Sequence, residues 1–381
     1  MNVQKICIIG DGLAGLSSAL VLSQENIKID LYIGSNFKKL KNDDRTTAIS
    51  ESSYQFIKQR FNIKNFSIFW PSKEIKLFYE DNKIINNFLN FKEKKKILMY
   101  IFKNKELKQK LNKLIQKKKN IKLIKKNITS INYVDGNILL KKKKFFYDLI
   151  ILSTGIQSKL YNNISEGRTI EKNYKEIALT ATVTHNTKIN RVSQFFLKEG
   201  PLAILPFNKN TFSVVWSVSN IFFQNKIKFL EKTLREKIKI LPTNLKIKKI
   251  NNIESFPINL NLKTRYYKKN VLILGDGLHA VHPMAGQGFN LVLRDIKKLA
   301  ELMRNILQLG LPLKNSFLLN DFYKARKPEN NIMGLGIDLT NIFFKNHKYF
   351  SPIKRTILNK ISKFTFIKKM SQVISDKGLI T

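Results

Sequence analysis

The chain has 381 residues, of which 43% are apolar and 11% aromatic, so it can bury a large core and is not a disordered chain. Its 16 Gly and 9 Pro exclude a collagen-like or low-complexity protein. The lone Cys7 cannot form an internal disulfide. No apolar run approaches the roughly 20 residues that span a bilayer, so we expect a cytoplasmic protein. The length suggests two or three domains, or one large domain with an insert.

The net charge is +42, from 69 basic and 27 acidic residues. The basic residues are mostly Lys, scattered among Asn and Ile along the whole chain, which a drift in composition explains. A surface for anionic lipid is the alternative, since each Lys near such a membrane contributes about 1 kcal/mol. No signature of a nucleic-acid-binding fold is visible, so we expect no nucleic-acid partner.

The first 33 residues carry the pattern of a nucleotide-binding unit. An apolar strand over 3–9 leads into Gly10, Gly12 and Gly15, which open a helix, and a second strand covers 27–33. The glycines permit a tight turn, close approach to a pyrophosphate and close helix–strand packing. One expected part is missing, because Ile33 stands near the place of the acidic residue that binds the ribose. Asp30 is the nearest acid, but it lies inside the strand. Either Ser35 or backbone groups replace the contact, or the adenosine end is held less tightly.

The rest of the chain alternates between strand and helix patterns. Short apolar pieces over 177–184 and 200–217 favour a mostly antiparallel sheet inserted into the nucleotide-binding part. Apolar residues at steps of three and four over 357–374, with Lys between them, predict an amphipathic C-terminal helix, packed on its own domain or lying on a membrane. The other predicted elements are strand-like segments over 68–91, 121–123, 128–133, 137–140, 148–152 and 271–274, and helices over 106–116 and 287–309.

A second motif, residues 275–290, reads Gly-Asp-Gly-Leu-His-Ala-Val-His-Pro-Met-Ala-Gly-Gln-Gly-Phe-Asn. The Asp276 carboxylate can accept hydrogen bonds from a sugar or ribityl hydroxyl. The glycines near residue 287 let a flat ring approach the backbone, and the following helix N-terminus favours negative charge. A reduced flavin fits this site, because it is a flat ring that carries negative charge and a ribityl chain.

These residues resemble the second flavin-binding motif of the FAD-dependent aromatic hydroxylases with the p-hydroxybenzoate hydroxylase fold. More narrowly, the chain is similar to the ubiquinone-biosynthesis hydroxylases. The resemblance covers nearly the whole chain and extends to four other segments, which are Asp43–Ser50, Gly200–Pro206 with Val215–Ser217, Phe256–Ile258, and Tyr323 with Arg326.

The resemblance implies an α/β protein, with a Rossmann-like FAD-binding domain, an inserted and mostly antiparallel substrate domain, and C-terminal helices. We expect the FAD-binding domain to comprise residues 1–67, 98–165 and 263–325. The substrate domain comprises 68–97 and 166–262, and the C-terminal helical segment 326–381.

The same resemblance implies the residues of the site. No catalytic base can be assigned, and His279, His282 and Pro283 are weak candidates; no metal is expected. The predicted cofactor-binding residues are Gly10, Gly12, Leu13, Ala14, Gly15, Arg45, Gln109, Asp276, Pro283, Gly286, Gln287, Gly288 and Asn290.

The implied activity is hydroxylation of the aromatic ring of a polyprenyl-phenol intermediate of ubiquinone biosynthesis. In this family NAD(P)H reduces FAD, and O₂ then forms a flavin C4a-hydroperoxide that delivers one oxygen atom. A transient NAD(P)H site fits the single glycine fingerprint. The implied partners are this substrate and a membrane surface or a biosynthetic complex, the location being cytoplasmic or peripheral to the membrane.

Two positions depart from the family pattern. Thr154 stands where Asp is expected, and Tyr161 where a basic residue is common. With Ile33, these departures keep two alternatives open. One is a flavin-fold subunit of a biosynthetic complex with weakened turnover, and the other is a different phenol hydroxylase or epoxidase of the same fold.

Overall fold

A computed structural model describes most of the chain. The described residues are 3–34, 43–61, 67–94, 96–133, 135–140, 143–165, 169–187, 190–314, 317–345, 356, 358 and 365–378. Only the backbone is described for residues 165, 285, 365–368 and 371.

The described helices and strands follow the predicted alternation. The helices are α1 (Leu13–Leu22), α2 (Glu51–Phe61), α3 (Asn104–Ile115), α4 (Asn162–Ser165), α5 (Asn220–Lys226), α6 (Leu230–Lys239), α7 (Gly288–Gln308), α8 (Leu318–Lys345) and α9 (Thr365–Lys377). The first strands are β1 (Gln4–Ile9), β2 (Ile27–Ile33), β3 (Thr46–Ser50), β4 (Trp70–Ser72), β5 (Glu74–Asp81), β6 (Ile84–Lys92), β7 (Met99–Lys103), β8 (Ile121–Lys125), β9 (Ile131–Asn132) and β10 (Asn137–Leu140). The later strands are β11 (Lys143–Phe146), β12 (Leu149–Leu152), β13 (Thr169–His185), β14 (Val192–Leu197), β15 (Gly200–Asn208), β16 (Thr211–Ser219), β17 (Ile247–Lys263), β18 (Tyr267–Lys268), β19 (Val271–Ile273) and β20 (His279–Ala280).

The nucleotide-binding part is a six-stranded sheet in the order β18-β19-β12-β1-β2-β8. All its pairings are parallel except that of β18 with β19. The central strands are continuous apolar runs, as expected where helices cover both faces of a parallel sheet. Strand β1 lies in the middle, and α1, α3 and α7 contribute buried side chains to the same core. The predicted Rossmann-like unit is confirmed.

The second large sheet has eight strands in the order β20-β17-β13-β16-β15-β14-β5-β6. Every neighbouring pair is antiparallel except β14 with β5. Because β5 and β6 precede α3 while β13 to β17 follow β12, the chain leaves the nucleotide-binding part twice to build this sheet. The predicted mixed architecture is confirmed, whereas the domain boundaries given above stay a prediction.

Two smaller sheets complete the fold, β3-β7-β4 and β11-β10-β9. The second accounts for one difference from the sequence prediction. The expected strand over 128–133 is shortened to β9, because only residues 131 and 132 pair with β10.

Helix α9 covers the last part of the predicted C-terminal helix and packs against α2 and β3. At the C-terminal end of α9, the carbonyl oxygens of residues 374, 375 and 376 accept hydrogen bonds from the Arg294 side chain. The predicted apolar positions Ile357, Ile361 and Phe364 lie outside the described residues. Within the described part of the chain, each helix is too short or too polar to cross a membrane.

Candidate active site

A cavity of 2180 Å³ lies where the parallel sheet, the eight-stranded sheet and the β3-β7-β4 sheet meet. Its wall includes both glycine motifs, Arg45 and one face of the eight-stranded sheet. Sites for one small ligand usually have about 300–1,000 Å³. The cavity is therefore large enough for two ligands side by side.

The first glycine motif has the close packing of turn, helix and strand that the sequence predicts. Gly10 has φ +132°, and a Cβ there would lie 2.1 Å from the Ser153 carbonyl oxygen, while a Cβ on Gly15 would lie 2.2 Å from the Gly10 oxygen. These two glycines permit close packing of turn, helix and strand. Gly12 differs, because a Cβ there would meet no atom within 4 Å and would point into space that a ligand can fill.

The N-terminus of α1 is shaped for an anion. Gly12, Leu13 and Ala14 line the cavity, and no side chain caps the helix. Free N–H groups and the positive end of the helix dipole bind phosphate groups at such a position. Asp11 and Lys108 form an ion pair of 3.2 Å beside this turn, which places one cation next to the phosphate position. The residues present therefore fit the pyrophosphate of FAD.

The position expected to bind ribose carries no free acid. Asp30 is buried, pairs with Lys5 at 2.7 Å and accepts a hydrogen bond of 2.7 Å from the Tyr147 hydroxyl. The cavity wall here is formed by Tyr32 and Gly34, and Ser35 lies outside the described residues. Asp30 is thus part of the sheet's internal network, as its position within β2 suggested.

In the second motif, Asp276 faces the cavity from the turn that follows β19. Its carboxylate is open to the cavity but surrounded by protein, and this enclosure raises its pKa, an effect partly offset by His279 and Arg45. A carboxylate in this setting accepts hydrogen bonds strongly from ligand hydroxyls. The geometry therefore fits the role predicted for Asp276.

Tyr161 explains the unusual Thr154. The backbone N–H and the hydroxyl of Thr154 both donate to the Tyr161 hydroxyl oxygen, at 3.0 and 2.9 Å. Burial raises the pKa of Tyr161 to about 12. A Cβ on Gly277 would lie 2.3 Å from the Tyr161 ring, so the tyrosine packs directly under the second motif. The two departures from the family pattern thus form a single interaction.

Arg45 lies at the cavity wall, where its guanidinium binds both carboxylate oxygens of Asp43 at 2.7 Å. It also stacks over the Phe256 ring, 4.7 Å from the centroid. Burial opposes ionisation of Asp43, but Arg45 holds the pKa of that carboxyl below its usual value. Arg45 is thereby held at the cavity wall, where its charge also offsets part of the rise in the pKa of Asp276 that burial causes.

The loop before α7 brings four predicted residues into the cavity wall, which are Pro283, Gly286, Gln287 and Gly288. Gly286 has φ +61°, and a Cβ there would lie 3.1 Å from that of Ala48. Asn290 lies behind this loop and joins it to β3. Its amide donates to the carbonyl oxygens of Ala48 and Gly286 and accepts from the Ser50 N–H.

Three predicted cofactor-binding residues lie outside the cavity wall, and their roles stay predictions. Gly15 faces the strand, and Asn290 uses its amide within the protein. Gln109 is exposed on α3, and Asn104 and Lys108 of that helix form the cavity wall instead. The sequence predicts the helical period of α3 but not which side of the helix faces the cavity, because distant segments of the chain build the cavity.

His279 belongs to a buried charge network. Its Nε2 lies 2.6 Å from Asp295, which in turn accepts 2.6 Å from the Arg326 Nε. Arg326 also binds Glu329 and Asn330. Burial would raise the pKa of Asp295, but Arg326 and His279 lower it below its usual value. This network holds the second motif against α7 and α8.

His282 is also held on both sides. Its Nε2 lies 3.0 Å from Glu176 of β13, and its Nδ1 accepts the Met284 N–H at 3.2 Å. Desolvation lowers its pKa from 6.5 to about 4, although Asp338 opposes the shift. The imidazole is therefore neutral at pH 7 and has both nitrogens engaged. The catalytic roles of His279, His282 and Pro283 stay predictions.

The sequence did not identify the side chains that the eight-stranded sheet and α9 bring to the cavity. The sheet contributes alternate residues, including Thr180 and Gln194, and α9 contributes Val373 and Asp376. The Asp376 carboxylate accepts 2.8 Å from the Ser52 N–H at the start of α2. The alternation along each strand was the signal available, but which face meets a cavity depends on the packing of distant segments.

The chain is similar to several known proteins. The family described as FAD binding domain matches residues 153–309. A mitochondrial ubiquinone biosynthesis monooxygenase of Dictyostelium discoideum is 24% identical over 84% of this chain and 80% of that protein. The 3-demethoxyubiquinol 3-hydroxylase of Escherichia coli is 30% identical over 31% of this chain and 30% of that protein.

A crystal structure of a probable FAD-dependent monooxygenase from Pseudomonas aeruginosa superposes with a TM-score of 0.73 at 14% identity, covering 93% of this chain and all of that one. This likeness confirms the fold. The family match and the curated relatives show that the chain is similar to FAD-dependent monooxygenases, among them ubiquinone-biosynthesis hydroxylases. The predicted resemblance, fold, enzyme class and FAD cofactor are confirmed.

Proposed function

We propose that this FAD-dependent monooxygenase hydroxylates the aromatic ring of a polyprenyl-phenol in ubiquinone biosynthesis, using NAD(P)H and O₂. One observation carries the proposal. A single cavity of 2180 Å³ joins the phosphate-binding turn of α1 to an apolar face of the eight-stranded sheet. The curated relatives named above act in ubiquinone biosynthesis by their names, and this cavity has the size and polarity for a cofactor and a long apolar substrate together.

The chain's own residues divide the task between them. The α1 N-terminus and Lys108 would hold the pyrophosphate, and Asp276 would accept a hydroxyl of the cofactor's sugar or ribityl chain. The N-terminus of α7 at Gly288 would favour negative charge on the reduced ring. When bound, FAD supplies the redox and oxygen chemistry, and the protein binds, orients and protects.

Exclusion of water is the second task of the protein. Reactive oxygen species on a cofactor are lost to solvent unless the site is closed. The apolar wall includes Leu77, Leu89, Phe91, Val192 and Leu205, which cannot hold ordered water by hydrogen bonds. The same side chains provide a surface for a prenyl tail.

A prenyl tail also implies that the substrate is delivered from a lipid phase. We therefore propose a peripheral contact with a membrane surface or with a complex that presents the substrate, in keeping with the excess of Lys. The cytoplasmic location and the domain boundaries given above also stay predictions.

The test begins with the visible spectrum of the purified protein before and after FAD is added. NAD(P)H oxidation is then followed under ¹⁸O₂ with short-tailed prenyl-phenols as substrates. The ¹⁸O content of the products is measured by mass spectrometry. We expect phenol-stimulated oxidation of NAD(P)H and one ¹⁸O atom in the ring. A protein that binds FAD but hydroxylates none of these phenols would support the alternative of a subunit without turnover.

A further inference from the structure

One face of the eight-stranded sheet presents a continuous row of side chains to the cavity. The strand register aligns these residues directly across neighbouring strands. All of them line the cavity. From β13 to β6 the row reads Thr180, Val215, Ala203, Gln194, Leu77 and Leu89.

Two members of this row are polar, and most of each residue is buried. Thr180 is 8% exposed and Gln194 is 6% exposed, and both line the cavity. Hydroxyl and amide groups in such surroundings are nearly always hydrogen-bonded. Their polar ends are therefore available to a ligand, or to water that a ligand displaces.

Only apolar side chains lie between the two polar residues in this row. Thr180 and Gln194 are three strands apart, about 14 Å between Cα atoms, and Val215 and Ala203 lie between them. The side chain of Ala203 is the shortest of the four, and that of Val215 is as long as that of Thr180. An aromatic ring above Ala203 and Val215, with oxygen atoms at opposite edges, would face Gln194 at one edge and Thr180 at the other.

Charge narrows the ligand further. Lys and Arg make up 69 of the 381 residues, yet this row and the neighbouring wall residues Ile75, Phe91, Val192 and Leu205 are all uncharged. Arg45, Lys96 and Lys172 line other parts of the cavity, so a carboxylate held directly against the row would be desolvated without a cation in contact, which is costly. A neutral ring oxygen, as in a phenol or a methoxy group, needs only the hydrogen bonds that an amide and a hydroxyl offer.

We infer that Gln194 and Thr180 select and orient an uncharged aromatic ring that carries oxygen substituents, while the apolar residues toward β5 and β6 bind its hydrocarbon tail. Gln194 can donate or accept, and Thr180 can do the same, so both recognise neutral oxygens. The inference rests on the proposed function and makes these two side chains the determinants of its substrate class.

The test compares Gln194→Leu and Thr180→Val with the wild type, all loaded with FAD. Equilibrium binding is measured from the change in flavin absorbance, with three ligands of equal short prenyl tail. The first carries a ring with two neutral oxygens, the second carries no ring oxygen, and the third carries a ring carboxylate. Ser193→Ala is the matched control, since Ser193 is buried and lies on the opposite face of β14.

We expect each variant to bind the oxygenated ring about tenfold more weakly, which corresponds to the loss of one hydrogen bond to a buried group. The ring without oxygen should bind equally to all proteins, and the carboxylated ring should bind the wild type at least about tenfold more weakly than the neutral one. Thr180→Ser should restore binding, because it keeps the hydroxyl. In turnover, the two variants should raise KM and divert more NAD(P)H oxidation to H₂O₂.

Unchanged binding of the oxygenated ring by both variants would overturn the inference, and so would a carboxylated ring bound as tightly as the neutral one. If the wild type hydroxylates prenyl-phenols but the variants bind normally, the proposed function stands and the inference fails. If the variants lose binding as expected but no protein hydroxylates any ring, the inference stands and the proposed function fails. Stoichiometric FAD in every variant shows that the fold is intact.

Discussion

The two glycine motifs line the same cavity but are stabilised in different ways. The turn over residues 10–15 is built from backbone contacts, with Gly10 and Gly15 packed against Ser153 and each other. The motif over residues 275–290 depends on buried polar side chains from other elements, including Glu176, Asp295 and Arg326. The first motif is therefore self-contained, whereas the second is specified by the whole fold.

This difference predicts different responses to mutation. A substitution in the first motif should either block the cofactor directly or disturb local packing. These two effects should be easy to distinguish. A change in the network under the second motif should act on stability first and on the cofactor through the position of the loop.

The largest effect is expected for Gly12→Val. A Cβ at residue 12 meets no protein atom within 4 Å, so the fold should remain while the side chain occupies the pyrophosphate position. We expect complete loss of bound FAD with an unchanged unfolding midpoint of the apoprotein. Gly336→Ala is the matched control, because that site is equally open but lies on the exposed face of α8, and it should keep full FAD. Retention of FAD by Gly12→Val would remove the role assigned to the turn.

The next effect concerns the network under the second motif. Arg326 binds the buried carboxylates Asp295 and Glu329, and removing one partner of a buried ion pair costs about 3–5 kcal/mol. Arg326→Met should lower the free energy of unfolding by that amount in urea titrations and weaken FAD binding. Arg304→Met removes an Arg from the more exposed pair with Glu25 and should cost less than about 1 kcal/mol. Equal costs would mean that the buried network has no special role.

His282 gives the second motif a dependence on pH. Its pKa falls from 6.5 to about 4 in the folded protein, so the unfolded state binds a proton more readily. The stability that this shift provides is complete above pH 6.5 and is lost as the pH falls toward 4, by about 3 kcal/mol in total. His282→Asn should flatten the unfolding free energy between pH 6.5 and 4, measured by urea titration at several pH values. An unaltered slope would contradict a neutral buried imidazole.

The smallest effect is expected at Thr154, where the family has Asp. Tyr161 already occupies the polar atoms of residue 154 and stays protonated, since burial raises its pKa to about 12. A carboxylate there can accept from that hydroxyl, so Thr154→Asp should change the Kd for FAD by less than about threefold, measured by fluorescence titration. A much tighter complex would show that the threonine is a real weakening. Tyr161→Phe serves as the comparison that removes the shared partner.

The contrast also explains what could be predicted from the sequence. The turn of Gly10, the strands beside it and the motif around Asp276 are local patterns. The structure has the predicted strands and turn and places Asp276 in the cavity wall, while the binding roles stay predictions. The partners Glu176 and Arg326 lie 106 residues before His282 and 31 residues after Asp295, and no local pattern connects them. Gln194 and Thr180 were not recognised for a related reason, because a strand pattern gives two faces but does not say which one meets the cavity.

The position of β1 has a consequence for the order in which the protein matures. It pairs with β2 on one side, but its other partner, β12, is synthesised more than a hundred residues later, and β19 later still. Contacts of such separation form slowly, because a long loop must close first. On the ribosome, the glycine turn therefore emerges early and waits for its supporting strands. Cofactor loading should follow release of nearly the whole chain, and a shortage of FAD would then leave completed, cofactor-free protein.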